Sequence, residues 1–156
     1  MLQNYHDILV AVDGSPQAQQ AFTKAIRIAK LNQGHLLLLN VLDIWNKNYD
    51  FRPVPDDDSF TQKIFAQTQN YLQVLQQEAA QLGVTDCDIH IRFGNPKKII
   101  AHEFKLDHQI DLIILAATGK NALTRTLTGS VTDYVTRNAT TDVLTVRTDL
   151  DNRPLV

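Results

Sequence analysis

Ile8 to Val12, Leu36 to Val41 and Leu112 to Ala116 are short apolar runs, broken only by Asn40. A strand that is apolar on both faces needs helices covering both sides of a parallel sheet. Between these runs lie longer stretches in which apolar residues recur every three or four positions, the spacing of amphipathic helices. The alternation implies βαβ units. Right-handed crossovers, with the buried strands set in the middle, favour an α/β fold: an open five-stranded parallel sheet of order 3-2-1-4-5 with helices on both faces. The winding direction then reverses between strands one and four, and the crevice at their carboxyl ends is where such sheets bind ligands.

The individual elements are well signalled. Ser15 can cap the first helix and Pro16 fits its first turn, after which Ala18, Ala21, Phe22, Ala25, Ile26 and Ala29 form one stripe. Gly34 offers conformational freedom for the return turn. Asp43 to Asp58 reads as a long irregular loop, and its Trp45, Tyr49 and Phe51 fit either a lid over a ligand or packing on the core. Ser59 and Gln62 have capping-box spacing, and Ile64, Thr68, Tyr71, Leu72, Leu75, Ala79 and Leu82 continue a long helix to Gly83. In Cys87 to Phe93, apolar Ile89, Ile91 and Phe93 alternate with polar residues, as in a half-exposed edge strand. Asn95 and Pro96 start a shorter helix through Leu106, Val131, Tyr134 and Val135 mark the last helix, and Asp142 to Arg147 is the final strand. With no repeat or linker, residues 1–156 read as one domain.

Composition narrows the function. A net charge of −2 gives no basic field for nucleic acid. No run approaches the roughly 20 apolar residues of a membrane span. The one cysteine, Cys87, forms no internal disulfide, and the start of the chain lacks a secretory pattern, so the expected compartment is the cytoplasm.

Two segments face the switch point: Asp13, Gly14 and Ser15 after the first strand, and Ala116 to Ser130 after the fourth. The latter contains Ala116, Ala117, Thr118, Gly119, then nine residues, then Gly129 and Ser130 at a helix start. Glycines let an anion approach backbone amides, the helix N-terminus aims N–H groups at it, and Lys120, Arg125 and the Ser130 hydroxyl add donors. The alternative is an ordinary strand-to-helix loop with a glycine cap. Asp13 can accept from an adenine amino group or ribose hydroxyl, or form the turn ahead of Ser15.

ILVAVDGS (Ile8 to Ser15) and AATGKNALTRTLTGS (Ala116 to Ser130) resemble the two signatures of the universal stress protein family. The resemblance spans nearly the whole chain and implies a Rossmann-like fold of the adenine nucleotide alpha hydrolase-like type. The family's nucleotide-binding pattern G-x2-G-x9-G-[ST] maps onto Ala116, Gly119, Gly129 and Ser130. The resemblance further implies ATP, ADP or AMP as ligand, with Mg²⁺ on the phosphates, adenine or ribose held by Asp13 and the backbones near Val12 and Val41, and a family glycine at Gly94. It also implies a homodimer through Val143, Leu144 and Val146. One departure stands out, Ala116 in place of the first glycine: if that position needs a positive φ, alanine costs about 1–2 kcal/mol, about a tenfold loss of affinity.

Other chemistries fit less well. A Walker loop needs lysine before the final Ser or Thr, but Gly129 precedes Ser130, and no G-x-G-x-x-G follows the first strand. His6, His35, His90, His102 and His108 lack metal-ligand spacing, and Asp56, Asp57 and Asp58 suit the dipole of the helix they precede. Three classes remain, in this order: a nucleotide-binding regulator, a slow ATP hydrolase without an assigned general base, and a dimeric interaction protein without nucleotide.

Overall fold

The structure is a computed structural model and describes residues 4–43, 58–118 and 128–148. Five strands, β1 (Asp7–Ala11), β2 (His35–Leu42), β3 (Cys87–Phe93), β4 (Leu112–Ala116) and β5 (Asp142–Val146), form one sheet of order β3-β2-β1-β4-β5 with every pairing parallel. This is the order expected from the placement of the apolar runs. The helices are α1 (Pro16–Asn32), α2 (Asp58–Gln81), α3 (96–107) and α4 (Ser130–Asn138).

Alternate residues of the inner strands feed two cores. Ile8, Val10, Leu36, Leu38 and Ile114 pack with Phe22 of α1 and Leu72 of α2 on one face. Leu9, Leu37, Leu39, Ile113 and Leu115 pack with Phe104 of α3 and Val135 of α4 on the other. Full burial of such side chains stabilises by about 1.5–3 kcal/mol each, which is why these runs can sit only in the middle of a covered sheet. The expected α1 stripe from Ala18 to Ala29 is buried throughout, and the Ser15 Oγ accepts from the Ala18 N–H at 3.1 Å as its N-cap.

Several local expectations are corrected. The left-handed position after α1 is Gln33 (φ 52), while Gly34 is needed for space: a Cβ there would lie 2.8 Å from the Tyr5 carbonyl oxygen. Helix α2 starts at Asp58, so Ser59 lies inside it rather than capping it, and Leu82 falls beyond its end, exposed. Phe93 is also exposed and stacks on Phe65. The third helix is not regular: Pro96–Lys98 and Phe104–Asp107 flank a π-helical segment, Ile99–Glu103. No helix among the described residues is long and apolar enough to cross a membrane.

Candidate functional site

Strands β1 and β4 pair at Ile8↔Leu112, Leu9↔Ile113 and Val10↔Ile114, and there the pairing stops. Each strand then follows its outer neighbour. The Val12 N–H donates to the Leu39 carbonyl (2.9 Å), and the Ala117 N–H donates to the Val146 carbonyl (2.8 Å). The opening between them is a crevice of about 320 Å³, at the small end of the roughly 300–1,000 Å³ of ligand pockets.

One side of the crevice is apolar. Ala11, Leu39 and Val41 present one face of the sheet, opposed by Pro96 and Ile100 of α3, with Leu115 and Ala116 closing the β4 side. The other side is polar, formed by Asp13, Thr118, Gly129, Ser130 and Thr132, with Val131 between them. Ser130 to Thr132 form the first turn of α4, whose dipole and N–H groups favour an anion. This turn is fixed to the strand it follows: the Thr132 Oγ1 donates to the Ala116 carbonyl (2.7 Å) and the Gly129 N–H to the Ala117 carbonyl (2.7 Å).

Of the residues singled out from the sequence, Val12, Asp13, Val41, Ala116, Thr118, Gly129, Ser130 and Val131 come together on the crevice. Gly14, Ser15, Gly94 and Ala117 flank it. The Ser15 hydroxyl is engaged as the α1 cap, and its N–H donates to the Asp13 Oδ1 (3.0 Å), so Asp13 also forms the turn that was the alternative reading of it. Gly14 (φ 81) and Gly94 (φ 143) take left-handed turns on either side, and the Gly94 N–H donates to the Leu42 carbonyl (3.0 Å). Gly119, Lys120 and Arg125 lie outside the described residues, as do Trp45, Tyr49 and Phe51.

Ala116 sits in β4, and among the described residues the only non-glycine with a positive φ is Gln33. The strain that alanine would incur in a left-handed turn therefore does not arise. Gly129 likewise has an extended backbone, φ −61 and ψ 153, and serves as the N-cap of α4.

Sequence reasoning missed Ala11, Leu39, Leu115, Pro96, Ile100 and Thr132 as lining residues. Period-2 alternation from Val41 back to Leu39 was a usable signal. Nothing local to Pro96 and Ile100 points to the switch point, because the packing of α3 on the sheet brings them there. Tyr71 of α2, which the helical spacing places in the long helix, packs partly buried against the core and also reaches the Asp13–Gly14 turn. Its pKa is raised first by burial and then by the Asp13 carboxylate, and a Gly14 backbone hydrogen bond acts against both.

Over residues 4–147 the sequence matches the Universal stress protein family. A Staphylococcus haemolyticus protein bearing the family's name is 38% identical over 145 residues, covering 93% of this chain and 86% of its own. The solved universal stress protein UspA from Lactobacillus plantarum is 33% identical with a TM-score of 0.79, covering 94% of this chain and 100% of its own. A universal stress protein solved in complex with cAMP is 25% identical with a TM-score of 0.67, covering 93% and 98%.

Proposed function

The chain belongs to the universal stress protein family, and on that premise we propose that it is a regulatory protein whose crevice binds an adenine nucleotide. The observation that carries this reading is the parting of β1 and β4 over a pocket that is apolar on one side and anion-seeking on the other. The slot between Val41 and Ile100 suits a flat base, the Asp13 carboxylate can accept from ribose hydroxyls, and the α4 N-terminus with Ser130 can receive phosphate. The cAMP complex of a relative supports an adenine ligand.

ATP, ADP and AMP share these parts, and in this reading Gly119, Lys120 and Arg125 complete the phosphate seat. Among the described residues no three His, Cys, Asp or Glu side chains gather to hold a metal. Mg²⁺ would then arrive on the nucleotide's own phosphates rather than in a protein cage. We further propose a homodimer through the β5 edge at Val143, Leu144 and Val146, working in the cytoplasm as one 1–156 domain.

Calorimetry with ATP, AMP and cAMP tests the reading. Micromolar binding is expected for at least one, weakened about tenfold or more in Asp13→Ala, which removes a charged acceptor. Absence of heat and of any thermal shift with all three at millimolar concentration overturns it.

A further inference from the structure

The ladder between β1 and β2 ends in an unusual way, one rung short. Its first rung runs from the His35 N–H to the His6 carbonyl (2.7 Å) and its last from the Val12 N–H to the Leu39 carbonyl (2.9 Å). In a parallel pair, alternate residues turn both backbone groups toward the same neighbour, so His35, Leu37, Leu39 and Val41 all face β1. The next rung would therefore run from the Val41 N–H to the Val12 carbonyl. That carbonyl instead accepts from the side-chain amide of Asn40, with Nδ2 at 2.9 Å.

Asn40 is the only polar residue between Leu36 and Leu42, and it is 8% exposed. Burying an amide is unfavourable unless its hydrogen bonds are replaced, and leucine would suit the same strand. The polar side chain has its effect on where the ladder stops. With the Val12 carbonyl taken, Val41 lines the crevice with its backbone N–H turned toward the β1 side of the opening.

We propose that Asn40 is a positioning residue: by ending the β1–β2 ladder one rung early, it keeps the Val41 backbone amide available to donate to an acceptor nitrogen on the edge of the bound base. This rests on the adenine-nucleotide reading of the crevice. Asn40 itself touches no ligand and acts through Val12 and Val41.

The test combines amide hydrogen exchange at Val41 with calorimetry using AMP. In the wild type the Val41 amide exchanges readily without ligand and becomes protected when AMP is added. In Asn40→Leu the missing rung closes, so the Val41 amide is protected without ligand and AMP binds about tenfold more weakly. A purely structural role for Asn40 would instead speed exchange throughout β2. Equal Val41 exchange in both proteins, or unchanged AMP affinity, overturns the proposal. Should Asn40→Leu not fold, Asn40→Ala removes the same donor and is judged on the same two readouts. If the wild type takes up no AMP while Asn40→Leu still protects Val41, the nucleotide reading and the ligand half of this proposal fall together, leaving only the ladder stop.

Discussion

Ala116 and Gly34 show what a residue's identity can and cannot reveal. From the motif, alanine at position 116 looks like a defect, yet its place at the end of β4 needs no positive φ. Ala116→Gly is therefore expected to lower stability by about 0.5–1 kcal/mol, the entropic cost of glycine in a strand, without tightening nucleotide binding. Denaturant titration and calorimetry on the same preparation check both halves. Gly34 was read as a source of backbone freedom, because a glycine after a helix so often is. Its actual role is close approach, with the Tyr5 and His6 carbonyl oxygens at 2.8 and 3.2 Å from where a Cβ would stand. Such proximity is invisible in sequence, since it depends on a segment nearly thirty residues away. Gly34→Ala is expected to destabilise by about 1–3 kcal/mol through overpacking, read as a lower urea midpoint with an unchanged slope.

At the scale of elements, α1 was legible because its signals are local: Ser15, Pro16 and a 3.6-residue stripe. Helix α3 was not, because the π-helical segment Ile99–Glu103 inserts an extra residue per turn that no propensity announces. Phe104, which follows that segment, is fully buried, stacks on His108 (4.1 Å between centroids) and meets the His90 ring edge-on (5.1 Å). The His90 Nε2 has no hydrogen-bond partner among the described residues. Burial, then His108 and Arg92, lower the pKa of His90, although Asp88 opposes them. Protonation thus favours the unfolded chain: stability is intact above about pH 6.5 and declines as pH falls from there through the lowered folded value. His35 behaves oppositely. Burial works against its charge, but hydrogen bonds to Asp7 and Asp88, each 3.0 Å, outweigh it and raise the pKa. Its contribution is complete below about pH 6.5 and is lost as pH rises through the raised value. Urea unfolding of His35→Asn should accordingly show its largest deficit against wild type near pH 5.5 and a smaller one near pH 8.5. A deficit independent of pH would contradict the ion-pair account.

For the molecule as a whole, strand order was legible because burial on both faces identifies inner strands without any knowledge of contacts, and the crevice followed from that order. Its apolar wall was not, since Pro96 and Ile100 reach it by docking of one layer on another. Among the described residues the outer side of β5 carries no partner strand, and an unpaired edge invites addition of a second copy. Sedimentation is expected to give twice the chain mass for the wild type and the single-chain mass for Leu144→Lys; a monomeric wild type would refute the proposed dimer. The divergence of the β1 and β4 ladders after Val10 and Ile114 also has a mechanical side. Three strands lie to one side of that seam and two to the other, so a molecule lodged in it acts as a keystone. Occupancy would then clamp the halves together, and the melting temperature would climb with the logarithm of ligand concentration.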